Sequence, residues 1–217
     1  MADDTLRDPE LSLSLAYAPA ARRPALAALW RLDERLAAIV VEPNRPITAI
    51  KLAWWREALE RLDQAPPPPE PLLAALGEAV AAGVSGARLA GLAAAWDVLI
   101  DDDAAEDEGA RIVRHARERA AALFGTAADL LGGAGQVDVA VAGQSWSLAT
   151  VPVPLAAGRR EAAASVLSHV PPGYWPRRLR ALGVLAVLGR ERLHDPAGLP
   201  GSPRRIVRAL WHAASGL

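Results

Sequence analysis

Apolar residues recur along this chain at intervals of three and four, the spacing that gathers side chains on one face of an α-helix. The clearest stripe is Leu26, Leu29/Trp30, Leu36/Ala37 and Val40, which predicts a helix over 24–41 opened by Pro24, since proline is tolerated in a first turn. A short helix is expected before it, from Pro9 to about Ala18, closed by Pro19. Glu42-Pro43-Asn44-Arg45-Pro46 reads as a turn, because each proline biases its predecessor away from the helical region. In the next helix, over 47–63, Ile50, Trp54, Ala58 and Arg61 follow one another at helical spacing. Pro66 to Pro69 form a stiff connector between helices. Further helices are predicted over 70–82, 86–100, 105–131, 136–149, 159–169, 173–189 and 203–214. No stretch alternates apolar and polar residues as a strand would, and no repeat is visible. The fold class expected is all-α, a single-domain bundle of eight to ten helices spanning residues 1–217.

Composition agrees with that picture and narrows the chemistry. With 52% apolar residues, 217 residues suffice for one substantial core. No uncharged apolar run reaches membrane-spanning length, and the polar, acidic stretch from Met1 to Pro9 does not resemble a secretory leader; a soluble, cytoplasmic protein is expected. The absence of cysteine excludes disulfides, thiolate metal sites and thiol nucleophiles. Charge is unevenly distributed. Residues 159–217 hold ten arginines against Glu161, Glu191 and Asp195, a surplus of about seven positive charges, whereas residues 1–158 are acidic overall. A basic end of this kind can complement the acidic remainder of its own fold, meet an anionic membrane surface or a protein partner, or bind nucleic acid. Only Tyr174, Trp175 and Trp211 accompany the arginines, too few aromatics for base stacking, so nucleic acid is not expected.

The order of features from Asp8 onward resembles the squalene/phytoene synthase family. The matching text is Ala21-Arg22-Arg23-Pro24, then Leu29-Trp30-Arg31-Leu32, then Glu42-Pro43, then Leu52-Ala53-Trp54-Trp55-Arg56-Glu57, densest over residues 8–63. Leu179-Arg180-Ala181-Leu182-Gly183 and Arg205 to Leu210 resemble the tails of bacterial members. The resemblance implies an isoprenoid-synthase-like bundle, in which paired aspartate motifs on two helices hold Mg²⁺ against a departing pyrophosphate. Here the first motif, Asp-Asp-x-x-Asp, falls on Ala37-Ala38-Ile39-Val40-Val41, with every acidic place apolar. The second would follow Gly143-Gln144-Ser145-Trp146-Ser147-Leu148, where the chain reads Ala149-Thr150-Val151-Pro152-Val153-Pro154.

Other candidate residues carry weaker signals. Asp33 interrupts the apolar stripe of its helix; it reads either as a remnant of the acidic motif or as a buried or rim carboxylate paired with Arg23, Arg31 or Arg56. Trp54 and Trp55 are adjacent and cannot both face inward, so one of them borders a pocket or a partner surface. Together with Arg56 of the Trp-Arg signature, Asp33, Trp54 and Trp55 are the candidate substrate-binding residues. Asp103 and Asp107 satisfy Asp-x-x-x-Asp, but acids are also what a helix start favours, and they precede the predicted 105–131 helix. His115, His169, His194 and His212 lack the spacing of a zinc site, Ser145 lacks a nucleophile elbow, and Gly132-Gly133-Ala134-Gly135 reads as a helix stop and turn. The seven tryptophans are expected mainly in the core.

Three functional expectations follow. The resemblance implies a degenerate family member without catalytic residues, similar to the branch that assists assembly of respiratory complex I at mitochondrial membranes. Such a protein would bind a prenyl or lipid-like ligand in an apolar central cavity and use its basic C-terminal part as a peripheral membrane or protein-binding surface, with no cofactor. The alternative is an active prenyltransferase that holds Mg²⁺ through atypical acids such as Asp33, Glu34 and Asp138. A helical protein-interaction domain is the third.

Overall fold

The computed structural model describes residues 5–101, 106–133, 135, 137–169 and 174–217. Within them the chain forms ten α-helices and no strand: α1 (Pro9–Ala16), α2 (Arg23–Val40), α3 (Arg45–Arg61), α4 (Pro71–Ala81), α5 (Gly86–Asp97), α6 (Glu108–Leu130), α7 (Val139–Ala149), α8 (Arg159–His169), α9 (Arg180–His194) and α10 (Pro203–Ser215). The starts are written locally. Asp8, Asn44, Glu70, Ser85, Asp107 and Asp138 each accept a hydrogen bond from a backbone N–H of the first turn they precede, and proline stands in the opening positions of α1, α2, α3, α4 and α10. α10 closes on Gly216, whose φ of 81° is the left-handed conformation that a side chain disfavours.

One hydrophobic cluster runs through the bundle from Leu11 to Ala209. α2 packs against α1, α3, α4, α5 and α6; α6 in turn lies against α5, α7 and α8; α7 crosses α9, and α10 rests mainly on α9. Trp30, Trp96, Trp146 and Phe124 are among the largest side chains buried in the bundle. Trp55 and Trp175 are also buried, whereas Trp54 and Trp211 are exposed.

One helix departs clearly from the sequence reading. The helix expected over 173–189 is α9, Arg180–His194. Pro176 is held in an extended conformation ahead of a short 3₁₀ turn over 177–179, so the helix cannot begin earlier. Gly189 does not end it: a Cβ there would lie 2.4 Å from the Trp146 backbone nitrogen, so the glycine lets α9 cross α7 closely. In α3, Thr48, Leu52, Trp55, Ala58 and Leu59 turn inward. Of the series Ile50, Trp54, Ala58 and Arg61, only Ala58 does so; Ile50 is 69% exposed and Trp54 46%. α3 carries two overlapping apolar stripes, and the bundle buries the one with more bulk.

Candidate functional site

At the bundle centre, Asp33 lies on α2 with 2% of its surface exposed. Its Oδ1 accepts hydrogen bonds from Nε of Arg119 at 2.8 Å and Nε1 of Trp96 at 2.9 Å, and its Oδ2 accepts one from Nη2 of Arg119 at 2.5 Å. Arg119, on α6, spends its remaining terminal nitrogen on the Ser147 carbonyl (2.9 Å) and the Thr150 hydroxyl (2.7 Å) at the end of α7, and its guanidinium stacks 4.5 Å from the Trp96 ring centroid. The carboxylate is therefore buried and paired, as one of the two readings of Asp33 expected. Its partner is not one of the neighbouring arginines. Arg23 donates instead to the carbonyls of Ala16 and Ala18, and Arg56 sits on the outer side of α3. Arg119 was overlooked, although it breaks the apolar stripe Ile112, His115/Ala116, Ala120, Leu123 on α6 as Asp33 breaks the stripe on α2. Opposite charges that each interrupt a core-facing stripe are the signal that could have joined them.

The node satisfies both charges through fixed hydrogen bonds, which is what a buried ion pair requires. Beside it, His115 places Nδ1 2.7 Å from the Ala95 carbonyl oxygen. Burial drives its pKa down to about 3, the Arg119 charge adds to the fall, and the Ala95 bond only partly opposes it. The ring is neutral at physiological pH and donates from Nδ1.

The donor set here does not fit a Mg²⁺ clamp. Ala37, Ala38 and Val41 offer no oxygen from their side chains, and Asp33 has both oxygens engaged. The other acids proposed for the purpose are dispersed: Glu34 accepts the backbone N–H groups of Arg7 and Asp8, and Asp138 caps α7. Among the described residues no group of three or more His, Asp or Glu side chains could hold a metal ion. Asp107 caps α6, while Asp103 lies outside the described residues.

The four candidate binding residues do not converge. Trp54 meets Trp55 edge-on at 5.3 Å between centroids, with Trp55 buried and Trp54 half-exposed, so one of the pair faces outward as expected. Arg56 lies near Asp97, whose carboxyl is pushed above its usual range by burial, with Arg56 pulling it back and Asp101 adding to the rise. Asp33 is sealed in the core.

Open space lies elsewhere. A cavity of about 660 Å³ runs between α9 and α10 at the C-terminal edge of the bundle, with α7 and the 174–175 segment along its floor. This cavity lies at the edge of the bundle; at the centre, where an apolar cavity was expected, Trp30, Trp96 and Phe124 are fully buried. Ala142, Ala186, Val187, Trp175 and Leu217 make its apolar walls. Arg190, Arg204, Arg205 and Arg208 line it against Glu191 and Asp195, with Nε of Arg208 3.6 Å from Glu191. His212 is buried at one end, its Nδ1 2.8 Å from the Leu217 oxygen; burial lowers its pKa, the Leu217 bond raises it, and Arg180 and Arg208 add to the lowering.

A second ionic node holds this edge to the N-terminus. Glu10 of α1, fully buried, accepts from Nε of Arg205 at 2.5 Å and from Nε of Arg192 at 2.9 Å, while Arg192 also reaches Asp8 at 2.7 Å. Burial pushes the Glu10 carboxyl up, but the Arg205 hydrogen bond, the charges of Arg192 and Arg205 and the Gly201 N–H outweigh it, and the net shift is downward. Part of the basic tail therefore neutralises acids of its own fold. Ser145 is fully buried, and its hydroxyl is shared between the carbonyl oxygens of Ala142 and Ala186. No helix among the described residues is long and apolar enough to cross a membrane. No family model, characterised protein or solved structure matches the chain.

Proposed function

We propose that this protein is a non-catalytic, squalene/phytoene synthase-like helical protein that binds an anionic amphiphile, a prenyl or lipid-like chain with a charged head, in the groove between α9 and α10. The groove carries the reading: alanine, valine and tryptophan surfaces suit a hydrocarbon chain, while Arg190, Arg204 and Arg208 at the edge suit a phosphate or carboxylate head. Loss of prenyl-condensing chemistry is supported by the apolar residues at the clamp position and by the engagement of Asp33 with Arg119. A role in holding or presenting such a ligand, or in assisting assembly of a larger complex, agrees with a site that can bind but lacks groups to ionise a diphosphate.

The test is to titrate the purified protein with farnesyl or geranylgeranyl diphosphate in the presence of Mg²⁺, following both binding and pyrophosphate release. Saturable binding without release, weakened by Val187→Trp in the groove wall, is expected. Robust release would establish the prenyltransferase alternative, and no binding of either compound would remove the ligand reading.

The third reading, a helical interaction domain, draws support from α3, where Ile47, Ile50 and Trp54 expose an apolar stripe. If that reading holds, Ile50→Ser should abolish capture of a protein partner while leaving diphosphate binding intact.

A further inference from the structure

α10 is turned inside out. An ordinary surface helix buries its apolar stripe and offers charge to water. Here Arg205, Ala209, His212 and Gly216 face the bundle at helical spacing, and the outward row is Val207, Leu210, Trp211 and Ala214. Val207 is 64% exposed, Leu210 50% and Trp211 61%, with Ile206 beside them at 38%. Rotating the helix about its axis would bury those side chains and free the arginine. Instead the fold buries Arg205 and holds it with Glu10 and the Leu188 carbonyl. An arrangement that desolvates a guanidinium while leaving four large apolar side chains outside is favourable where a second apolar medium meets the outer face.

We propose that the outer face of α10 docks onto the interface of an anionic lipid bilayer, lying in the headgroup plane. Charge selects this occupant. α10 carries no acid; Arg205 is buried on Glu10, while exposed Arg204 and Arg208 stand beside the apolar row, Arg208 3.6 Å from Glu191 of α9, and exposed Arg177 adjoins Ala213 and Ala214 near its other end. A second copy packed face to face would bring two more exposed arginines and no acid from its α10, whereas anionic headgroups neutralise them. Trp211 is joined by exposed Tyr174, which lies against Gly216, and such amphipathic rings settle at the lipid–water boundary. This goes beyond the groove reading and does not depend on it.

Flotation with phosphatidylcholine vesicles, with and without phosphatidylglycerol, tests the proposal. The protein should float with phosphatidylglycerol-containing vesicles and far less with phosphatidylcholine alone, and high salt should weaken the association. The double variant Val207→Ser/Leu210→Ser should bind such vesicles about tenfold more weakly or worse. It should melt as the parent does and keep its farnesyl diphosphate binding without vesicles. Arg204→Gln/Arg208→Gln should remove the preference for phosphatidylglycerol. No flotation with phosphatidylglycerol vesicles, or flotation that survives the Val207/Leu210 change, overturns the proposal. So does a vesicle-free dimer that the same change dissociates, which would name a second copy as the occupant.

Discussion

The bundle centre and its C-terminal edge both contain buried arginine–carboxylate nodes, yet they are built for different ends. Around Asp33 and Arg119 the hydrogen-bonding groups come from α2, α5, α6 and the end of α7, buried Trp96 lies against them, and the carboxylate has both oxygens in use. Around Glu10 and Arg205 the charges are equally well paired, but one side of the same α10 helix opens on a cavity of about 660 Å³ and the opposite side exposes its largest apolar residues. A buried ion pair therefore does not by itself distinguish the two regions. What distinguishes the edge is unfilled space and apolar surface that the fold leaves outside.

The largest expected effect comes from breaking the central pair. Arg119→Ala strands a carboxylate in the core and should cost about 3–5 kcal/mol, read from urea unfolding, whereas Asp33→Leu with Arg119→Met should cost far less or stabilise the fold. Acid comes next. His115 has a folded pKa of about 3 against an ordinary value of 6.5, so the unfolded chain binds more protons between those values and stability falls as pH drops through that window. Glu10 acts in the same direction at lower pH: its folded pKa is depressed, its contribution is present above the ordinary 4.5, and it is lost as pH falls through the lower folded value. His115→Leu should flatten the fall between pH 6.5 and the carboxylate range in a melting series.

At the edge, Glu10→Gln removes the negative charge and one of the two acceptor oxygens that Arg205 and Arg192 share, and should cost roughly 1.5–3 kcal/mol, less than the central break. The smallest change is Leu210→Ser. Removing an exposed apolar side chain should move stability by no more than about 0.5 kcal/mol, while vesicle association drops. A large loss of stability in that variant would place Leu210 in the core and erase the contrast between inner and outer faces of α10.

The helices themselves were readable from sequence because their signals are local: periodicity along α2, Pro24 in its first turn, and the proline turn over 42–46. Asp33 could be recognised as an intruder on an apolar stripe, but its partner is 86 residues away, and no local rule selects Arg119 over the nearer Arg23. The sequence left the inward face of α3 open, because Ile50 and Trp54 keep helical spacing as faithfully as Leu52, Trp55 and Leu59, and packing against α5 decides which stripe is covered. Gly189, where the expected 173–189 helix ended, is a crossing point of α9 over α7. The groove was invisible for a similar reason, since its walls come from α7, α9, α10 and the 174–175 segment, brought together only by tertiary contacts. Even the orientation of α10 depends on Glu10, at the far end of the chain.

The central claim is that ligand meets the C-terminal edge and not the middle of the bundle. Backbone hydrogen exchange with and without farnesyl diphosphate, Mg²⁺ present throughout, tests it most directly. Slower exchange confined to residues 186–195 and 203–212 is the expected result. Mg²⁺-dependent slowing centred on residues 29–41 and 115–119, with the edge unchanged, would contradict the account.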